Sequence, residues 1–387
     1  MPPLPQPVHE LDFAALHALV ARAFPGQGEG DLEPMPGGAS TRRYFRVRLP
    51  AASAVAMFVP EGAKPEEVAN GVANHAKWPF LEVHALLASR GVDVPAVYAE
   101  DTSRGWLLLE DLGDDTLANY LIARPAAREP LYVTAVTDLA RAQLALASLP
   151  PGSIVASRAF DEELLRWEIE HFREWVLEAR GAALTEDDRR LYAGVAERLA
   201  RRIADWPRAF VHRDYQSRNL MVRGEHVSGS AGAMSKPESL CWIDFQDALL
   251  GPRVYDLVAL LNDSYQTFDA AFVDARLDDY VRASGLEARE PSAREAIRRE
   301  FDFVTVQRKL KDAGRFVFID RVKQNPSFLK FVEPTIAKVR ASLARLSDDQ
   351  DMRALSGLLA RVLPGPSQDG DGIRRPSSQD GDGIRRP

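Results

Sequence analysis

Three oxygen-bearing side chains carry the strongest chemical signal in this 387-residue chain: Asp214, Asn219 five positions later, and Asp244. The first two lie in His212-Arg213-Asp214-Tyr215-Gln216-Ser217-Arg218-Asn219, which fits H-R-D-x-x-x-x-N; the third follows Trp242-Ile243 and precedes Phe245. Phosphoryl transfer needs a carboxylate beside the attacking hydroxyl, together with hard oxygen ligands that hold Mg²⁺ on nucleotide phosphates. Asp214 suits the first task, and the Asn219 amide oxygen and the Asp244 carboxylate suit the second. Each piece has a bland reading, since His-Arg-Asp occurs by chance and an Asp after a strand often caps the next turn. The three together, in order and between β segments, favour the chemical reading.

The spacing after Asp244 bears on the acceptor. Six residues separate it from Gly251, and Tyr255-Asp256-Leu257 opens a helix at once. A protein kinase needs a long segment there, ending in A-P-E, to dock a peptide. Its absence points to a small-molecule acceptor lodged against a helical lobe. Gln216 and Arg218 in the loop, and Gln246 and Asp247 after Asp244, are candidate acceptor contacts or simply turn residues. Arg308, Lys311 and Arg315 share one helix face at spacings of three and four, and a solvated basic face is the bland account of them. His212 reads as a core histidine bracing its loop, and Cys241 as an inert packing residue.

These side chains need a scaffold, and hydrophobic period supplies its outline. A helix is expected over 9–24, followed by a loop at Gly26-Gln27-Gly28-Glu29-Gly30 that lacks the strand–turn–helix setting of a dinucleotide site. Phe45, Val47 and Leu49 alternate with Arg46 and Arg48 as in a half-buried strand, and 54–59 and 105–110 read as buried strands. Pro79 opens a helix over 79–90 that stops at Gly91. Helices are expected over most of 111–206, with Thr185 and Asp188 as a capping box, and again over 253–348, the longest near 292–320. Short β segments fall at 209–212, 220–222 and 240–243, with a Gly/Ser/Ala-rich connection over 224–239. The tail repeats Ser-Gln-Asp-Gly-Asp-Gly-Ile-Arg-Arg-Pro and reads as disordered. The expected division is 1–110, 111–365 and a tail of 366–387.

Composition sets the class. Hydrophobic residues make up 45% and charged residues 27%, ordinary for a globular chain, and the net charge of −7 argues against a nucleic-acid or anionic-membrane binder. One cysteine excludes a disulfide framework, and the amino terminus lacks a signal-peptide pattern, so a cytoplasmic protein is expected. No obligatory protein partner is implied.

Both motifs, with Gly251-Pro252-Arg253-Val254-Tyr255-Asp256-Leu257, resemble those of the aminoglycoside phosphotransferase-like small-molecule kinases. The wording His-Arg-Asp-Tyr-Gln-Ser-Arg-Asn-Leu-Met-Val and Ile-Asp-Phe-Gln-Asp-Ala-Leu-Leu-Gly-Pro is similar to that of bacterial kinases acting on the anomeric hydroxyl of N-acetylmuramate and N-acetylglucosamine. Gly38-Ala39-Ser40-Thr41-Arg42-Arg43-Tyr44-Phe45-Arg46, Leu109-Glu110-Asp111-Leu112-Gly113 and Val306-Gln307-Arg308-Lys309-Leu310-Lys311 extend the likeness over about residues 30–345. The resemblance implies an α+β, protein-kinase-like fold with a small β-rich N-lobe and a larger, mainly helical C-lobe. It implies ATP and Mg²⁺ as cofactors and a sugar as the acceptor. Asp214 would be the catalytic base, Asn219 and Asp244 the metal ligands, and Asp256 the anchor of the catalytic loop. The turn holding Gly37, Gly38, Ser40 and Thr41 would cover the phosphates, and backbone near Glu110 and Leu112 would hold adenine. An Arg308 guanidinium could clasp the lactyl carboxylate of N-acetylmuramate.

One departure stands out. Kinases carry a lysine on the third strand, and 54–59 has none. Lys64, Arg43 and Arg46 are the candidate replacements, and Glu82 then reads as a solvated helical carboxylate rather than a lysine's partner. Rival readings are a kinase of another small alcohol (an aminoglycoside, choline or homoserine) and a nucleotide-binding regulator that has lost catalysis.

Overall fold

Along the strand Trp106–Glu110, Trp106 and Leu108 enter one buried cluster while Leu107 and Leu109 enter another, as a two-residue period requires. The strand belongs to an antiparallel sheet in a computed structural model that describes residues 11–36, 42–60, 78–223 and 238–363. The elements of the smaller lobe are α1 (Phe13–Ala23), β1 (Asp31–Pro34), β2 (Arg43–Arg48), β3 (Ser53–Phe58), α2 (Pro79–Ser89), β4 (Val97–Asp101) and β5 (Trp106–Glu110), with sheet order β1-β2-β3-β5-β4. Ala15, Leu16, Leu19 and Val20 of α1 pack on the face of Phe45, Val47, Trp106 and Leu108. Phe80, Val83 and Leu87 of α2 pack with Met57, Leu107 and Leu109.

One expectation shifts here, and one strand is added. The first helix begins at Phe13, because the Asp12 carboxylate accepts the Ala15 N–H at 2.9 Å and the Asp12 carbonyl accepts the Trp106 indole N–H at 3.1 Å. The acidic stretch after Gly30, to which the sequence assigned no element, is an edge strand, with Asp31 opposite Arg48 and Pro34 opposite Phe45. It is mostly exposed, so it lacks the apolar alternation that marks a half-buried strand, and an edge tolerates proline.

The larger lobe begins with α3 (Leu117–Ala123), α4 (Arg128–Ala145), α5 (Glu162–Phe172) and α6 (Glu186–Ala204). The expected Thr185–Asp188 capping box opens α6. Four short strands follow: β6 (Arg208–Val211), β7 (Leu220–Arg223), β8 (Ser239–Trp242) and β9 (Leu249–Pro252). β6 pairs with β9 and β7 with β8, both antiparallel. This cross-pairing does the positioning. Residues 212–219 join β6 to β7 and residues 243–248 join β8 to β9, so both connections emerge between the same two ribbons.

The rest is helical: α7 (Tyr255–Leu261), α8 (Ala270–Ala283), α9 (Ala293–Lys323), α10 (Val332–Arg345) and α11 (Gln350–Val362). At 31 residues α9 is about 45 Å long and runs through the lobe's interior. It crosses the end of α5 at Gly314, where an added Cβ would lie 2.6 Å from the His171 carbonyl oxygen and 3.0 Å from the Phe172 nitrogen. Backbone cannot yield as a flexible side chain does. Gly314→Ala is therefore expected to destabilise by about 1–3 kcal/mol despite alanine's better helix propensity, read as a lower urea midpoint.

No helix among the described residues is long and apolar enough to cross a membrane. The turn with Gly37, Gly38, Ser40 and Thr41, Lys64, residues 224–237 of the expected connection and the repeat tail lie outside the described residues.

Candidate active site

Backbone hydrogen bonds shape the connection 212–219 before any side chain acts. The Gln216 N–H donates to the Asp214 carbonyl at 2.8 Å, and the Asn219 N–H to the Gln216 carbonyl at 2.9 Å. Arg213 sits at φ 81°, in the left-handed region that non-glycine residues seldom enter, and the neighbourhood holds it there. Both N–H groups at the bend are fixed by one buried carboxylate: Asp256 accepts from His212 N at 2.6 Å and from Arg213 N at 3.0 Å. The Asp256 carboxyl, which burial pushes up to about 7 against these two hydrogen bonds, thus ties the first turn of α7 to the loop, the anchoring geometry the sequence suggested.

His212 is fully buried, its Nε2 3.0 Å from the Ile243 carbonyl, so it links the two connections. Burial pushes its imidazole down to about 4, against the pull of the Asp214 charge. The sign of the consequence is fixed by linkage. The unfolded chain takes up this proton below about 6.5 while the fold refuses it until about 4, so the contribution is whole above that range and drains away on acidification. Between pH 7 and pH 5 wild type is expected to lose about 2 kcal/mol more stability than His212→Gln, measured by urea unfolding at both pH values. Equal losses would contradict a neutral buried imidazole.

Asp214 stands at the exposed side of this loop, with 42% of its side chain accessible. Asn219 donates from Nδ2 to the Asp214 carbonyl at 2.8 Å, which directs Oδ1 away from its own loop. The Asn219 carbonyl accepts the Ile243 N–H at 3.0 Å, joining this residue to the strand that delivers Asp244. Asp244 is itself in the left-handed region, φ 62°. Burial foremost, and then the Asp214 charge, push the Asp244 carboxyl up, opposed by a Gln246 hydrogen bond and by Arg42. The three candidate ligands and base thus lie in one acidic corner below the small lobe.

Gln246 is buried, and its amide donates to Asp244 at 2.9 Å and to Asp247 at 3.1 Å. It braces the acidic turn. Gln216 is half-buried, and Arg218 is exposed with its guanidinium 3.6 Å over the Tyr265 ring. Leu112 is half-buried between the lobes, two residues after β5 ends. The Glu110 carboxylate takes the Ala96 N–H at 3.0 Å and an Arg223 N–H at 2.8 Å, fixing the end of β5 to β7.

The basic face of α9 requires a correction. Arg308 is 1% exposed and Lys311 9%, so neither belongs to a solvated face. Arg308 donates from Nη1 to the Arg213 carbonyl at 2.8 Å, and its Nη2 lies 3.6 Å from Asp214. Buried there, it braces the loop instead of presenting its guanidinium to an acceptor's carboxylate. Burial alone would raise Asp312; Lys309, Arg308 and Lys311 together overcome that and hold it well below the usual carboxylate range. Helical spacing cannot tell a solvated stripe from a buried one, because only topology decides which face turns inward.

The candidates for the missing lysine take separate places, and Lys64 lies outside the described residues. Arg43 is exposed, and Arg46 is buried in pairs with Asp111 at 3.0 Å and Asp114 at 2.7 Å. The cation beside Asp244 is Arg42, which the sequence reading passed over. Glu82 is no solvated carboxylate either, since it accepts the Ile154 N–H at 2.6 Å. The sequence reading also missed Glu168, fully buried under the loop 3.9 Å from Arg213 and bonded to Gln307 at 2.7 Å.

The donor set fits Mg²⁺ in kind. Asp244 and Asn219 offer hard oxygens, and crowded carboxylates are relieved by a divalent cation. Among the described residues no group of three or more His, Cys, Asp or Glu forms a metal site. A cation here would thus draw its remaining ligands from water or a bound nucleotide.

Comparison with known proteins shows the family. Residues 31–296 match the phosphotransferase enzyme family. The chain is 32% identical over 347 residues to an N-acetylmuramate/N-acetylglucosamine kinase of Pseudomonas aeruginosa, covering 87% of this chain and 93% of that one. It is 32% identical over 340 residues to the protein of that name in Pseudomonas putida, covering 87% and 89%. An ADP-bound aminoglycoside phosphotransferase structure shares the fold, with TM-score 0.51 and 14% identity over 84% of this chain and 97% of that one. The match over most of the chain, and relatives of nearly the same length, show that this protein belongs to the phosphotransferase enzyme family.

Proposed function

We propose that the protein is an ATP-dependent sugar kinase that phosphorylates the anomeric hydroxyl of N-acetylmuramate, N-acetylglucosamine or both. Bound Mg²⁺·ATP would supply the transferable phosphoryl group. Asp214 would accept the C1 hydroxyl's hydrogen bond and take its proton as the oxygen attacks. The Asn219 Oδ1 and the Asp244 carboxylate would hold the cation, and backbone at Glu110 and Leu112 the adenine, with Gly37, Gly38, Ser40 and Thr41 over the phosphates. Arg308 and Asn219 keep the Asp214 loop in place, so positioning and charge neutralisation carry most of the rate. Arg218, the exposed cation of the loop, is the group we assign to an acceptor carboxylate, with Gln216 and Asp247 facing sugar hydroxyls. Its free, buried Cys241 suits a reducing, cytoplasmic setting.

One observation carries the phosphoryl chemistry: a single hydrogen-bonded unit, fixed by Asp256, His212 and Asn219, presents Asp214 beside Asp244. The relatives' names support the choice of acceptor. ADP release with N-acetylmuramate, N-acetylglucosamine, an amino-cyclitol and choline tests it. Turnover is expected with the N-acetyl sugars; turnover confined to the amino-cyclitol or choline would sink the sugar assignment.

A further inference from the structure

The α- and β-phosphates of a kinase nucleotide ordinarily meet a lysine on the third strand. Here β3 reads Ser-Ala-Val-Ala-Met-Phe, so the charge must come from elsewhere. Arg46 is committed to Asp111 and Asp114 at the lobe junction. Arg43 begins β2 and is exposed, and its neighbour Arg42 projects to the other side, as the strand's alternation dictates. The Arg42 guanidinium lies 3.2 Å from Asp244 Oδ1 and 3.9 Å from Asp247 Oδ2, with 16% of its side chain accessible, and it is hydrogen-bonded to Tyr44.

This pair puts a permanent cation against the very carboxylate oxygens proposed for Mg²⁺. A metal ligand distance near 2 Å and a guanidinium contact cannot both be made by the same oxygen lone pairs without the two cations repelling each other. We propose that Arg42 takes the place of the missing strand lysine: it shares Asp244 with the divalent cation by exchange, and the released guanidinium pairs with the nucleotide phosphates. Three features make the exchange feasible. The pair opens to solvent on the Asp244 side, 42% of whose side chain is accessible, so an entering cation can reach the carboxylate. A guanidinium cannot lose its charge and grips phosphate oxygens two at a time. Asp247 lies near enough to keep the second nitrogen in the crevice during the turn.

The inference rests on the nucleotide-binding reading above, and its test needs no sugar and no turnover. ADP binding is measured by calorimetry in EDTA and with Mg²⁺, and Mn²⁺ binding alone by electron paramagnetic resonance. Arg42→Ala is expected to weaken ADP by about tenfold to hundredfold in EDTA. The same change should tighten Mn²⁺ by about threefold, because a competing cation has been removed. Arg42→Gln keeps a donor for Asp244 and Tyr44 and should give the same pair of opposite shifts, which guards against a variant that folds poorly. A merely structural role would weaken both ligands or neither. ADP affinity unchanged in both variants, or Mn²⁺ binding that does not tighten, overturns the proposal. Wild-type protein that binds no ADP even with Mg²⁺ would remove the kinase reading along with it, an outcome distinct from wild-type binding that survives the substitutions.

Discussion

Asp214→Asn is expected to cut kcat by about 10²- to 10⁴-fold while leaving Mg²⁺·ADP affinity within about twofold of wild type. The substitution keeps size and shape. It also keeps an oxygen for Arg308, whose Nη2 lies 3.6 Å away, and does not disturb the Asp214 carbonyl that receives the Asn219 amide. What it removes is the negative charge proposed to take the hydroxyl proton. With 42% of the side chain accessible, little folding energy is at stake, so thermal stability should hardly move. Steady-state kinetics at saturating sugar and calorimetry with ADP separate the two effects. Residual turnover equal to wild type would favour contamination of the preparation and a regulator without catalysis.

Asp256→Ala should do the opposite and couple stability to activity. Both carboxylate oxygens receive buried backbone N–H groups, from His212 and Arg213, and the residue is fully buried. Truncation orphans two donors away from water and unties a bend whose Arg213 sits at φ 81°. The expected cost is about 3 kcal/mol or more in unfolding free energy. A loop that no longer holds Asp214 in place should also lose about 10²-fold in kcat, since small misplacements near a reacting group are expensive. Urea midpoints and kcat are expected to fall together. A stable variant with full activity would show that the loop does not depend on this carboxylate.

Much of this arrangement was legible in residue order. The strands at 54–59 and 105–110 announce themselves because both faces are buried, and α2 because Pro79 and Gly91 bracket it. Asp214, Asn219 and Asp244 were singled out because phosphoryl chemistry fixes both residue types and order. The edge strand Asp31–Pro34 was not, because an exposed edge makes no demand for alternating apolar residues. Arg308 and Lys311 misled for a different reason. Their spacing places them together on α9, but only the packing of α9 through the lobe shows that the shared face is internal and neutralised by Asp214 and Asp312. Arg42 was hidden beside two equally plausible arginines, Arg43 and Arg46. One step along a strand reverses the face, so the choice among Arg42, Arg43 and Arg46 depends on a register that sequence alone leaves open. Glu168 gave no signal either, since a buried carboxylate on an amphipathic helix looks like any other glutamate until its partners Arg213 and Gln307 are seen.

The most direct test of the central claim is phosphorus NMR of the product formed from N-acetylglucosamine and ATP. Transfer guided by Asp214 to the C1 oxygen predicts a phosphorus resonance coupled to the sugar's anomeric proton. Coupling to the C6 protons or to any other ring position, or a reaction that yields only inorganic phosphate, would contradict the account.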